Sequence, residues 1–250
     1  MKKPVLEAYQ VSKCFGGLAA LKSIDLTIYT GEIVGLVGPN GSGKTTLFNC
    51  MSRLQSVDQG KIFLKGRDVT QARSHQLARM GLARTFQRIR LYRQMSVLEN
   101  LLISRQWKDE NIFTMLKPSH SKTQKRALEL LDFLLLSPLR NEYAGNLSGG
   151  QKRLLELGMA LMPDPDILLL DEATSGISPT LTETIKGYIR TLNQKQGKTF
   201  LLIEHDMNFI SDLCTRVYVM NQGQKIAEGT PEKIKVNEAV INAYLGVFSV

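Results

Sequence analysis

The stretch that decides the fold is "EIVGLVGPNGSGKTTLFNC", residues 32–50. Its first part, Ile33 to Val37, is a continuous apolar run suited to a strand buried on both faces. The run opens onto "GPNGSGKT", which satisfies G-x-x-x-x-G-K-[ST] in the required context, after a strand and before a helix. Gly38, Gly41 and Gly43 let the backbone turn tightly and aim its N–H groups inward. Pro39, Asn40, Ser42 and Thr46 complete the loop. A helix predicted from about Lys44 to Arg53 adds the positive end of its dipole. In such a loop Lys44 reaches the β- and γ-phosphates of a nucleotide, and Thr45 offers its hydroxyl to Mg²⁺.

A metal-bound triphosphate also needs a carboxylate. "ILLLDE", residues 167–172, supplies one: Asp171 closes a continuous apolar strand, where it would meet the Mg²⁺ shell. Glu172 follows directly and is placed to polarise water against the γ-phosphate. His205 ends the next apolar run, "FLLIEH". Parallel strands deliver their carboxyl ends to one crevice, so His205 is expected to face the γ-phosphate. Gln87, in "RTFQ", ends a weaker strand candidate.

Around these motifs strands and helices alternate, which predicts an α/β fold with a mainly parallel sheet and helices on its faces. Residues 4–37 read as strands, "GKIFLKGRDVT" as a strand and turn, and Ser74 as the cap of a short helix. Residues 92–165 change character and read as an all-helical insertion. Ser96 with Glu99, and Ser121 with Gln124, have capping-box spacing, and Ser148 begins a third helix running towards Pro163. Ser178-Pro179 and Thr230-Pro231 start later helices, and "VYVMNQGQKIAEG" reads as a hairpin.

Composition excludes several classes. At 250 residues and 43% hydrophobic content the chain can bury a sizeable core. No window approaches the roughly 20 apolar residues needed to cross a bilayer. Pro4 and Glu7 interrupt the basic start, so no signal peptide is expected. Cys14, Cys50 and Cys214 are scattered, as free thiols in a reducing compartment would be. The formal charge is +9, concentrated in residues 61–93, where nine basic residues face one acid, Asp68. That segment is either a solvated face or a contact with acidic lipid, nucleic acid or protein. Few aromatics interleave with it, so nucleic acid is not the expected partner.

A second glycine motif remains. "LSGGQ", residues 147–151, has Ser148 at an N-cap position and two glycines permitting close approach, but no lysine. It reads as half an anion site, lending donors to a nucleotide held elsewhere. Two copies head to tail would bring each "LSGGQ" onto the other's triphosphate.

The set "GPNGSGKTT", Gln87, "LSGGQ", "ILLLDE" and His205, in this order over almost the whole chain, resembles the nucleotide-binding subunits of ABC transporters. The resemblance implies one nucleotide-binding domain over residues 1–250. Its core would be P-loop and RecA-like, with an antiparallel β region. The helical insertion at about 92–165 would carry the signature motif. It further implies an ATPase, with ATP and Mg²⁺, that pairs with a second such subunit across two shared ATP molecules. Lys44, Glu172, His205 and Gln87 would be catalytic, and Thr45, Gln87 and Asp171 would attend the metal. Phe15 would stack on adenine, and Ser148, Gly149, Gly150 and Gln151 would close over the partner's nucleotide. "SGIS", residues 175–178, would cross the dimer interface.

"GLARTFQRIRLYRQMSVLENLLIS", "TTLFNC", "VINAYLG" and the extra residues "RQWKDENIFTMLKPSHSK" are similar to the LivG-type importer ATPases for branched-chain amino acids. The chain would then sit at the cytoplasmic face of a prokaryotic membrane. Arg84, Arg88, Arg90 and Arg93 would flank Gln87 where a permease subunit docks, with Trp107 a further contact or a packing residue. Two positions depart from the family pattern: Ala173 stands where proline is usual, and Ser178 where Asp or Asn is usual. The alternatives are an exporter ATPase, a soluble ABC ATPase acting on nucleic acid or ribosome, and a nucleotide-gated module without turnover. One cassette without paired cysteines speaks against the soluble class, and Glu172 speaks against the last.

Overall fold

The computed structural model describes residues 3–86, 90–105 and 120–245. Its centre is β3 (Ile33–Val37), in which every residue is buried. β3 lies between two parallel neighbours, β8 (Thr199–Ile203) and β9 (Arg216–Asn221). Beyond β8 come β7 (Ile167–Asp171) and the short edge strand β6 (Leu82–Arg84), both parallel. β10 (Gln224–Gly229) turns back antiparallel on the far side of β9, completing the hairpin expected there. A second, antiparallel sheet has the order β2-β1-β4-β5, from β1 (Pro4–Phe15), β2 (Leu18–Tyr29), β4 (Gln59–Leu64) and β5 (Arg67–Asp68).

Register places the chemistry. Leu36 pairs with Ile203, and Ile203 with Asp171. These three residues are therefore level, and the Gly38 loop, Glu172 and His205 emerge from one edge of the sheet. This is the crevice outside the carboxyl ends of parallel strands.

Because side chains alternate along a strand, the central sheet feeds two apolar layers. Leu169, Leu201, Leu36 and Tyr218 face α1 (Lys44–Met51) and the antiparallel sheet. Leu168, Leu170, Phe200 and Val219 face helices on the other side. Those helices include α6 (Pro179–Gln196) and α7 (Met207–Leu213). Among the described residues the helical block contains α3 (Val97–Ile103), α4 (His120–Phe133) and α5 (Gly149–Leu161). Its Leu101, Leu131 and Leu155 belong to the same apolar layer as Leu168 and Phe200. Gly158 lets α5 press against its neighbours: a Cβ there would come within 2.8 Å of Leu134 and 3.0 Å of Leu101. The chain closes with α8 (Pro231–Lys235) and α9 (Glu238–Leu245).

Three expected caps form. Ser96 and Glu99 make a reciprocal box at the start of α3, and Ser148 and Gln151 make another at the start of α5. Ser178 accepts from the Leu181 N–H at the start of α6. Each such cap is worth about 1 kcal/mol. Two expectations differ. α2 (Ser74–Arg79) begins at Ser74, with Arg73 in the cap position and Gln76 Oε1 accepting the Arg73 N–H at 2.7 Å. Ser121 lies inside α4, whose helical backbone already includes His120. A glutamine supplies the first box from the other direction, and local spacing does not by itself fix where a helix starts. No described helix is long and apolar enough to cross a membrane.

Candidate nucleotide site

The cleft at the sheet edge measures about 650 Å³ and is lined by Phe15, Gly41, Lys44, Thr45, Glu172 and His205, among others. Two glycines are obligatory for its floor. A Cβ on Gly38 (φ 148) would stand 2.1 Å from the Met220 carbonyl oxygen, and one on Gly43 (φ 101) 2.6 Å from that of Ala20. The first helical hydrogen bond of α1 runs from Leu47 N–H to Gly43 O. The amides of Lys44, Thr45 and Thr46 precede it and belong to the orphan donors of a helix start.

Lys44 is 6% exposed. Its Nζ donates to the carbonyls of Gly38 (2.8 Å) and Pro39 (2.9 Å), so the side chain curls back over its own loop. Burial holds its pKa below the usual lysine range, against the pull of Glu172 and Asp171. Buried Ser42 Oγ has no hydrogen-bond partner among the described residues. Asn40 and Thr45 are exposed at the cleft.

Asp171 is 2% exposed. Burial raises its pKa, with Arg84 opposing. Its Oδ2 accepts from Arg84 Nη2 at 3.0 Å, while Oδ1 is buried with no partner among the described residues. An orphaned carboxylate oxygen on the residue before Glu172, which lines the cleft together with Thr45, suits a hard, oxygen-seeking cation. Among the described residues no three His, Cys, Asp or Glu side chains gather into a cage, so such an ion would rely on nucleotide oxygens as well.

Glu172 carries a left-handed backbone (φ 49) at the exit of β7. Such a conformation in a non-glycine residue stores on the order of 1–3 kcal/mol. It is held from both sides: the Glu172 N–H donates to Ile203 O at 2.9 Å, and the Glu172 carbonyl accepts from Arg153 Nη2 at 3.0 Å. The side chain reaches His205, with Oε1 2.9 Å from Nε2. Phe15, the last residue of β1, is 47% exposed at the cleft rather than part of the core. Ser148 and Gly149 are exposed at the tip of α5, and none of residues 148–151 lines the cleft. The two glycine motifs therefore stand apart within one chain.

Family comparisons agree with this geometry. A model described as "ABC transporter" matches residues 21–175. A second, "Branched-chain amino acid ATP-binding cassette transporter", matches residues 224–248. The chain belongs to the ABC transporter family. It is 41% identical over 253 aligned positions to the high-affinity branched-chain amino acid transport ATP-binding protein LivG of Escherichia coli (strain K12), covering 98% of this chain and 99% of that one. A crystal structure of the ADP conformation of an ATP-binding cassette superposes with a TM-score of 0.86 at 34% identity, covering 97% and 99% of the two chains. A dimeric cassette in a post-hydrolysis state, bound to ADP and Pi, gives 0.79 at 27% identity, covering 90% and 98%.

Within this cassette Arg84, expected beside Gln87, is also committed inward. Its side chain is 7% exposed; besides Asp171 it donates to Asn49 Oδ1 at 2.7 Å and Ser52 Oγ at 2.9 Å. Asp171 is an acid buried in an apolar strand, and a charge so placed is paired. Lys61 and Lys65 of the basic segment are likewise paired, with Asp68 and Asp166. Gln87, Arg88 and Trp107 lie outside the described residues. Three site-adjacent residues escaped sequence reading: Arg84 in this role, Arg153, and Glu204. Glu204 is 5% exposed and accepts the Thr174 N–H at 3.0 Å, holding the loop that leads to Ser178. Its signal was present, a carboxylate embedded in "FLLIEH".

Proposed function

We propose that this cassette is the ATP-hydrolysing subunit of a membrane importer for branched-chain or related amino acids. The observation that carries the ATPase reading is the convergence of the lysine loop, Asp171, and the Glu172–His205 pair at one sheet edge. The solute class rests on the LivG-type relative and on the family match over the C-terminal residues.

Lys44 and the amides opening α1 hold the β- and γ-phosphates, and Phe15 stacks on the adenine. Gly38 to Thr46 wrap the phosphate chain. Thr45 and Asp171, with Gln87, would hold Mg²⁺, which would neutralise charge on the phosphates. Glu172 takes the proton of the attacking water, and His205 orients that carboxylate and the γ-phosphate. The work is mainly positioning and electrostatics. Ser148 to Gln151 serve the nucleotide of a second cassette, so ATP favours the closed pair by contacts absent from the open one.

A permease subunit docks beside Gln87. Two grooves meet at the preceding residue, Phe86. One, of about 400 Å³, contains Phe86, Arg90 and Tyr92; the other, of about 340 Å³, contains Leu54, His75 and Pro163. On this reading the cassette works at the inner face of a membrane as a peripheral subunit.

The test is reconstitution of the cassette with its co-purifying membrane subunits in liposomes. ATP-dependent leucine uptake, lost with Glu172→Gln, is the expected result. Absence of phosphate release in every preparation overturns the ATPase reading. Phosphate release coupled to another solute overturns only the solute.

A further inference from the structure

Arg153 lies two residues beyond the signature Gln151, on the first turns of α5, and is 4% exposed. It pairs with Glu156, 5% exposed, at 2.8 Å. The contacts of this pair go to backbone, at Phe86, at Glu172 and, through Glu156, at Arg90. Arg153 Nη1 donates to the Phe86 carbonyl at 3.1 Å, and Glu156 Oε1 accepts the Phe86 N–H at 3.3 Å. Both backbone polar groups of Phe86, the N–H and the carbonyl, are thus gripped by one helix. Arg153 Nη2 donates to the Glu172 carbonyl at 3.0 Å.

We infer that Arg153, braced by Glu156, is a positioning residue that fixes the Phe86 and Glu172 peptides to the signature helix of the same chain. The inference rests on the reading of the cleft as an ATPase site shared between two cassettes. It adds a link between sites: the helix whose tip meets the partner's nucleotide also sets the pose of this chain's own Glu172.

Stability does not explain the arrangement. A buried ion pair is often no better than well-packed apolar residues of similar size, whereas losing one partner is strongly destabilising. Burial already pushes the Glu156 carboxyl pKa up, with Arg153 opposing. What an apolar pair cannot do is donate to two carbonyls in fixed directions. The planar guanidinium fork does this; a lysine ammonium reaches one at a time. Glu172 needs such a hold because its left-handed backbone is strained.

Two variants separate positioning from support. Arg153→Lys keeps the charge towards Glu156 and loses the fork. The double variant Arg153→Met with Glu156→Leu removes both charges. The expected result is a melting temperature near that of the parent, a KM for ATP within about threefold, and a kcat lower by at least about tenfold in both. Recovery of parental kcat in the double variant overturns the inference, as does failure of both variants to fold, since the pair is then needed for structure. A separate arm carries Glu172→Gln alone and with Arg153→Lys, with ATP-driven dimerisation read by light scattering. If Glu172→Gln alone stays monomeric, the shared-site reading falls. If both dimerise and Arg153→Lys leaves kcat unchanged, only the present inference falls.

Discussion

His205 Nε2 stands 2.9 Å from Glu172 Oε1, and the two residues leave neighbouring parallel strands at the same level. Neither residue reaches the cleft through a flexible loop of its own; the sheet register delivers both. Glu172→Gln keeps the size of the side chain and removes the base. Turnover should fall by about 10²–10⁴-fold while ATP still binds, and the ATP-bound variant should run as a stable dimer. Near-normal phosphate release from the variant would reject Glu172 as the base.

Lys44→Ala should weaken ATP binding by at least about tenfold in calorimetry, because a point charge on the phosphates is lost. It should also lower the melting temperature of the nucleotide-free chain. The carbonyls of Gly38 and Pro39 lose their buried donor. Unchanged affinity would remove Lys44 from the phosphate site.

Ser148→Arg should abolish hydrolysis and spare nucleotide binding by the isolated chain, since residues 148–151 do not line that chain's cleft. Mixed with the inactive Lys44→Ala chain, it should recover part of the activity. In the mixed pair the intact lysine loop of one chain faces the intact Ser148 of the other. A mixture as inert as its components would sink the shared site.

Glu204 offers a pH test. Burial raises its pKa above the usual carboxylate range. A carboxyl whose folded pKa is raised contributes stability fully below its unfolded pKa, and that contribution is lost as pH rises through the folded value. Glu204→Gln keeps an acceptor for the Thr174 N–H and carries no charge. It should therefore melt higher than the parent at about pH 8, and the gain should vanish towards pH 4.5. A relief on the order of 1 kcal/mol corresponds to about 2–4 °C in a chain of this size. A gain independent of pH would show that ionisation of Glu204 is not the cause.

Thiol reactivity should be selective. Cys14 is exposed, while Cys50 and Cys214 are buried. Burial pushes the Cys50 thiol up to about 11 and raises that of Cys214 as well. At about pH 8 a maleimide should label Cys14 alone, and all three cysteines after denaturation. Rapid native labelling of Cys50 would contradict its burial on the inner side of α1.

The parts of the site legible in sequence are those whose signal is local. The run Ile33–Val37, the glycine loop, Asp171 with Glu172, and the caps at Ser96, Ser148 and Ser178 each declare themselves within a few residues. What sequence misplaced or missed depends on distant partners. Arg84 is turned inward by Asp171, 87 positions away, and Arg153 by the peptides of Phe86 and Glu172. Counting charges along a segment cannot reveal which of them the fold neutralises. Ser74 and Ser121 show the same limit at smaller scale: a serine before a helical pattern marks a start only when its neighbours leave it the cap position.

The exposed Ser148 tip, set apart from the cleft of its own chain, also governs thrift. On the two-chain reading a solitary copy holds its fuel in an unfinished chamber and burns little of it. Specific activity should then climb with protein concentration in solution, and tethering two copies side by side on one membrane assembly would remove that dependence.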